Sequence, residues 1–443
     1  MAKKNILYTC KECDYNSIKW LGCCPECKNW NSFELKNLDT EINSIDNKNI
    51  KLCSLFEIES KSITRITSNI KEWDRVTGGG LVPASFIVLT GDPGIGKSTL
   101  LIQIAYNISL NHKVFYFSSE ESLEQVKIRA ERTNSLNHNL LFSDCADLEN
   151  IISISKQNLP DLVIIDSIQN CFLKNSNNTP GSINMLKESA FMLMRLAKEN
   201  NITVIISGHI TKEGVIAGPK MLEHMTDTVL YLQAEDYWQT RILRAVKNRF
   251  GTVNEIGFFQ MGSNGLEEIS NINQQLLQEI SNNPGSILTS FIEGSRPFLI
   301  ELQALVLSSK YSMSQRIVSG IDATQVSLIT AILEKYLQIK FSTQDIFFKI
   351  SGGFKIKGPM CDLAIALALL SSYFQKPLPE KILALGELNL TGQIKPINFI
   401  NLYVQEAEKF GIKTLLISKN QKTESNLKII KFSNIYELLT LFE

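Results

Sequence analysis

Residues 91–99 are Gly-Asp-Pro-Gly-Ile-Gly-Lys-Ser-Thr, which satisfies the pattern G-x-x-x-x-G-K-[ST] without a mismatch. The apolar run Phe86-Ile87-Val88-Leu89 precedes it, and the helix-forming Leu100-Leu101-Ile102-Gln103-Ile104-Ala105 follows. A strand, a glycine-rich loop and a helix in that order make a cradle whose backbone N–H groups turn inward around a phosphate. The pattern assigns Gly91, Asp92, Pro93, Gly94, Ile95, Gly96, Lys97, Ser98 and Thr99 to this cradle. Lys97 is placed to reach the β- and γ-phosphates, and the Ser98 hydroxyl to ligate Mg²⁺. Any fold for this chain must therefore supply a strand–loop–helix unit, and the expected ligand is a nucleoside triphosphate with Mg²⁺.

At 443 residues the chain exceeds one ordinary core, so two large domains and a smaller one are expected. Its 45 Lys and Arg balance 45 Asp and Glu, which excludes a uniformly basic nucleic-acid coat and leaves room for a local basic patch. No apolar run reaches 18 residues, and Met1-Ala2-Lys3-Lys4 is not followed by a signal-type segment. A cytoplasmic chain with no membrane partner is expected. Its nine cysteines are then thiols or metal ligands, not disulfides.

Residues 1–35 carry five of those cysteines and form a small module, followed by a polar linker over residues 36–62. Across residues 63–270 short apolar runs alternate with helical patterns, the signature of a parallel α/β sheet. Core strands are expected at Phe86–Thr90, Val114–Ser118, Leu162–Ile165, Thr203–Ile206 and Thr228–Leu232. The Asn- and Gln-rich stretch 271–285 is expected to be a hinge, and residues 286–443 a second mixed domain containing the apolar helix Leu363–Leu370.

Cys10-x2-Cys13 and Cys24-x2-Cys27 are paired knuckles with the spacing of a four-thiolate Zn²⁺ site. A module this small buries little apolar surface, so the metal would supply folding energy. Cys23 is a spare thiol on this reading. Leu162-Val163-Ile164-Ile165-Asp166 is an apolar strand ending in an acid, where Asp166 would hold Mg²⁺. Ser118-Ser119-Glu120-Glu121-Ser122 ends another strand, and one of its two acids is the expected base that orients the attacking water. Acids at a helix start are also favoured by its dipole. Ser207-Gly208-His209 has two readings, a γ-phosphate sensor or plain structure. In residues 241–251, Lys247 and Arg249 stand in an apolar alternation: a solvated strand face, or contacts to phosphates of DNA or of a neighbouring subunit's ATP.

Together these segments resemble the bacterial RadA (Sms) DNA-repair family over nearly the whole chain. The resemblance is carried by Cys10-Lys11-Glu12-Cys13, Trp20–Cys27, Gly91–Thr99, Ser118–Ser122, Gly208–Gly214 and Leu222-Glu223-His224-Met225. Its most specific element is Lys247-Asn248-Arg249-Phe250-Gly251. The resemblance implies a RecA-like P-loop ATPase core, Glu120 as the catalytic base, and a hexameric ring. It also implies binding of single-stranded and branched DNA, branch migration, and a RecA-type recombinase as partner. Lys220 stands where the family has Arg. The C-terminal half looks like the Lon protease domain through Gly294–Pro297, Gly352-Gly353, Gly358–Leu370 and Gly386–Gly392. Set against Lon, the nucleophile position is Met360 and the general-base position falls near Asn401, so the dyad is missing; no base is evident beside Cys361. An ATP-dependent protease and an ATP-switched adaptor are the rival readings.

Overall fold

A computed structural model describes residues 7–12, 15–17, 19–36, 54, 56, 64–174, 176, 178–209, 222–235, 240–269, 271–278, 280, 282–309, 314–351 and 354–443. The chain divides into two units, Met1–Ser62 and Ile63–Glu443. In the first, β1 (Leu7–Cys10) is flanked by the antiparallel β2 (Asn16–Ser17) and β3 (Phe33–Lys36). Its buried apolar cluster consists of Cys10, Cys24 and Phe33, edged by Tyr8, Tyr15, Leu21 and Cys27. So small a core cannot offset chain entropy by burial alone. Most of the expected 36–62 linker lies outside the described residues.

The second unit begins with an α/β layer structure. β4 (Phe86–Gly91), β5 (Val114–Ser118), β6 (Leu140–Ser143), β7 (Leu162–Asp166), β8 (Thr203–His209) and β9 (Thr228–Glu235) run parallel in the order β6-β5-β7-β8-β4-β9. Strands such as Phe-Ile-Val-Leu-Thr-Gly and Leu-Val-Ile-Ile-Asp are buried along their whole length. Strands of that kind need cover on both faces. Helices α1 (Lys71–Thr77), α2 (Lys97–Ser109) and α3 (Leu123–Arg132) supply one face; α4 (Leu148–Asn158) and α5 (Ile183–Asn200) supply the other. The helices start where the sequence offers a cap: Ser122 and Gln125 close a capping box on α3, and Asp147 and Ser182 cap α4 and α5.

Three further strands extend the sheet beyond β9: β10 (Thr240–Asn248), β11 (Ile256–Gly262) and β12 (Gly265–Glu268), each antiparallel to its neighbour. Ile242, Ile256 and Phe258 from this extension belong to the same apolar cluster as the C-terminal half. That half is built on a second sheet, in which the antiparallel strands Ser286–Glu293, Arg296–Ser308 and Gln344–Ile350 join the parallel strands Ile382–Ala384, Thr414–Ser418 and Lys428–Phe432. Helix Asp362–Phe374 crosses it with every residue from Asp362 to Ser372 buried. Among the described residues no helix is long and apolar enough to cross a membrane.

The hinge expected at 271–285 is corrected by this packing. Ile272–Gln278 is a helix, and Ile272 and Leu276, one turn apart, are buried in the C-terminal core. Asn273, 4% exposed, accepts from the Leu299 backbone N–H at 3.0 Å and donates to Pro297 O at 3.0 Å and Glu406 at 2.7 Å. An Asn- and Gln-rich composition signals solvent; here it hid the helically spaced Ile272, Leu276, Leu277 and Ile280 and an amide that answers buried backbone groups. Asn273→Ala leaves the Leu299 N–H without its acceptor, so it should lower unfolding stability by about 2 kcal/mol in urea titration. A flexible hinge would leave the midpoint unmoved.

Candidate nucleotide and metal sites

The phosphate loop runs from the end of β4 into α2. Gly91 has φ 155°, and a Cβ there would stand 2.2 Å from Leu232 O on β9. At Gly96, φ is 109° and a Cβ would come within 2.9 Å of Met261 Cε. Only glycine lets the loop lie this close to the neighbouring strands. Asp92, Pro93 and Gly94 form the exposed rim, while Ile95 and Thr99 are buried and Ser98 is half-buried one residue into the helix. Lys97 is 5% exposed and folds back over the loop, donating to Gly91 O and Asp92 O, each at 2.9 Å. Burial pulls its pKa below the usual lysine range, against the opposing fields of Asp166, Glu120 and Asp92.

Two acid-bearing strand ends face this loop. Asp166, 7% exposed at the end of β7, accepts hydrogen bonds from the Tyr116 hydroxyl at 2.8 Å and from the Ser207 hydroxyl. Beyond β5, Ser119 and Ser167 bond reciprocally, the Ser119 hydroxyl donating to Ser167 O at 2.6 Å and accepting from Ser167 N at 3.0 Å. The Ser167 hydroxyl donates to Glu120. The two neighbouring acids, between which the residue pattern alone left the choice open while the family resemblance implied Glu120, part here. Glu121 is held by both Nη atoms of Arg129 on α3, whereas the exposed Glu120 lies on the Lys97 side. Tyr116 and Ser167 were not singled out by sequence reasoning, because a tyrosine inside an apolar strand signals only core. His209 pairs across from Gly91 at backbone level, but its side chain lies outside the described residues, as do Lys220 and the segment 210–221.

The basic pair lies elsewhere. β10 runs antiparallel to β9, so it starts near the phosphate loop and ends far from it. Arg241, near its start, donates to Ile95 O at 3.2 Å. At its far end, Asn248 pairs with Thr228 at the start of β9. There the Lys247 ammonium donates to Glu223 O and, at 2.6 Å, to Thr226 O; burial and the Arg249 charge lower its pKa. Arg249 sits 3.3 Å from the Asp227 carboxylate, which also binds Lys198 at 2.6 Å and accepts from Phe86 N at 3.0 Å. Phe86 opens β4 and Gly91 closes it, so five residues, roughly 16 Å, separate this cluster from the chain's own phosphate loop. Phe250 O accepts from Arg65, and Gly251 packs on Gly78, where a Cβ would meet Gly78 Cα at 3.3 Å. The pentapeptide is thus a fixed turn with a half-exposed guanidinium at its centre.

In the N-terminal unit, ligand atoms of Cys10, Cys24 and Cys27 lie within 4.8 Å of one another. Cys10 Sγ and Cys27 Sγ are 3.6 Å apart. Tetrahedral Zn–S bonds of about 2.3 Å would space sulfurs by about 3.8 Å, so the residues present fit the ion. Cys13 lies outside the described residues. Cys23 turns away, its thiol donating to Lys28 O at 3.3 Å. In the C-terminal half, Met360 lies in the short helical turn Pro359–Cys361 and Asn401 on the surface of helix Ile400–Lys409, where its amide oxygen accepts from Thr423 at 3.3 Å. Gly352-Gly353 lies outside the described residues. Cys361 is fully buried, and burial together with the Asp362 charge pushes its thiol up to about 12.

Three family models match the chain. An AAA domain covers residues 55–215, a rubredoxin metal binding domain residues 8–34, and the subunit ChlI of Mg-chelatase residues 321–421. Among curated relatives, "DNA repair protein RadA" of Listeria monocytogenes is 42% identical over all of this chain and 98% of its own length. The Streptococcus pyogenes serotype M6 protein of that name is 42% identical over 95% of this chain and 94% of its own. That of Aquifex aeolicus is 38% identical over 99% of both.

The thiol geometry makes a direct prediction. Cys23→Ser should retain one zinc per chain by metal analysis. Cys24→Ser should lose it and leave the N-terminal unit unfolded. Zinc lost from the Cys23 variant would mean a ligand set shifted by one residue.

Proposed function

Because this chain belongs to the RadA family of DNA repair proteins, with a RecA-like P-loop ATPase core, a metal-binding N-terminal module and a Lon-like C-terminal domain, we propose that it is an ATP-driven motor on single-stranded and branched DNA. In this reading it promotes branch migration of recombination intermediates alongside a RecA-type recombinase in the cytoplasm. The domains are taken as residues 1–35 for zinc, 63–270 for ATP and 286–443 for the Lon-like part, with the helix at 272–278 counted in the last.

Gly91 to Thr99 would hold the phosphates, and Ser98 and Asp166 would hold Mg²⁺. When bound, that ion neutralises charge between the β- and γ-phosphates. Lys97 neutralises from the protein side. Glu120 orients the attacking water, a role favoured over Glu121 because Arg129 already holds both oxygens of the latter. Zinc is assigned to Cys10, Cys13, Cys24 and Cys27.

The observation that carries the reading is the separation of Lys247 and Arg249 from their own phosphate loop. An anion-stabilising arginine at the opposite sheet edge cannot serve the nucleotide of its own chain, and a ring supplies a neighbour's. We therefore place ATP at boundaries of a homo-oligomeric ring of six copies, with Arg249 acting in trans as an arginine finger and Lys247 fixing its turn. Proteolysis is disfavoured by chemistry: a Met360 thioether cannot be deprotonated, an Asn401 amide takes no proton, and the Cys361 thiol is buried and held protonated. The Lon-like domain then serves ring assembly and DNA contact.

Glu120→Gln should retain ATP binding and slow hydrolysis ~10²-fold, while Glu121→Gln should not. Arg249→Ala should also lose hydrolysis while binding ATP. Mixing these two inactive chains should restore turnover, because boundaries with intact Glu120 and intact Arg249 reappear. Unchanged basal ATPase in Arg249→Ala, with only DNA stimulation lost, would instead assign the pair to DNA.

A further inference from the structure

The carboxylate at the end of β7 is gripped from both sides. We propose that Tyr116 and Ser207 are positioning residues for Asp166, fixing the plane of the carboxylate that binds Mg²⁺; the inference rests on the assignment of Asp166 to that ion.

The sheet order makes the arrangement possible. β7 lies between β5 and β8, so its terminal acid has a strand on each flank. Ser207 stands one residue beyond the Ile165–Ile206 pair, level with Asp166. Ser118 is level with Asp166 on the other flank, and Tyr116, two residues earlier, points to the same face. From there its long ring reaches along the strand to place the hydroxyl 2.8 Å from Asp166 Oδ2. The Ser207 hydroxyl binds Oδ1.

Both donors are deeply buried, Tyr116 at 1% and Ser207 at 0% exposure. The Tyr116 ring packs among aliphatic side chains and tilts against Phe142 at 5.3 Å. Phenylalanine would fill the same space, so packing alone gives no reason for a hydroxyl, and Asp166 is its partner. With one fixed donor on each oxygen, the carboxylate loses its rotational freedom, while each oxygen keeps a lone pair for a metal or its waters. Outer-shell hydrogen bonds of this kind commonly tune metal affinity about 10- to 100-fold.

The test uses full-length protein with a non-hydrolysable ATP analogue and Mn²⁺ as a paramagnetic substitute, titrated by electron paramagnetic resonance. Tyr116→Phe and Ser207→Ala should each weaken Mn²⁺ binding about 10-fold, with analogue affinity at saturating Mn²⁺ unchanged. Ser207→Thr, which keeps the hydroxyl, should bind Mn²⁺ as the parent does. Asp166→Asn separates the two layers of the argument. If it abolishes the Mn²⁺ site while Tyr116→Phe and Ser207→Ala leave affinity unchanged, the positioning role is overturned and the metal assignment stands. If Asp166→Asn itself leaves Mn²⁺ affinity unchanged, the metal assignment falls and the positioning role falls with it.

Discussion

A parallel sheet covered on both faces admits polar chemistry only at its ends. Within the layer, β4, β5, β7 and β8 are buried and predominantly apolar, because helices close both sides. Where these strands stop at their carboxyl ends, backbone N–H groups, hydroxyls and carboxylates can meet water or a ligand. Gly91, Ser119, Asp166 and Ser207 all lie at that one edge, contributed by strands far apart in sequence. Parallel direction makes the site, since every strand delivers its last residues to the same side. The antiparallel β10 breaks that rule, and its last residues therefore arrive at the other edge.

The same antiparallel extension joins the two halves of the large unit. Glu72 of α1, 2% exposed, accepts from Phe258 N of β11 at 3.0 Å and from Arg296 at 2.7 Å, at the head of the first long C-terminal hairpin. Burial raises the Glu72 pKa, and the Arg296 guanidinium opposes that shift most strongly among its neighbours. Arg296 also lies over the Phe258 ring at 5.4 Å, and Phe258 packs edge-on to Phe298. Breaking a buried pair of this kind by removing one partner typically costs about 3–5 kcal/mol. The C-terminal half is thus anchored to the ATPase sheet through a shared core, with the helix Ile272–Gln278 docked against it.

Much of this was legible beforehand. Runs such as Phe86–Leu89 and Leu162–Ile165 announce strands buried on both faces, and the observed strands begin at those residues. The phosphate loop is local: its glycines, lysine and hydroxyl act within nine consecutive residues, so sequence alone identifies it. The segment 271–285 was misleading because its many amides outweighed the helical spacing of Ile272, Leu276, Leu277 and Ile280, which pack against the two apolar clusters of the C-terminal half.

What the sequence determined by itself was whatever is encoded over a few neighbouring residues: the phosphate-loop pattern, a cysteine-rich metal-binding module, the strand character of the core segments, and a family resemblance spread over nearly the whole chain. What only the tertiary structure decided depends on which strands become neighbours. Glu120 parts from Glu121 because Arg129 sits eight residues beyond Glu121 on α3 and takes its carboxylate. Tyr116 meets Asp166 across fifty residues because β5 and β7 are adjacent, and Lys247 and Arg249 face away from their own nucleotide loop because β10 runs backwards. Residue type and spacing carry no record of strand order, and strand order sets these contacts.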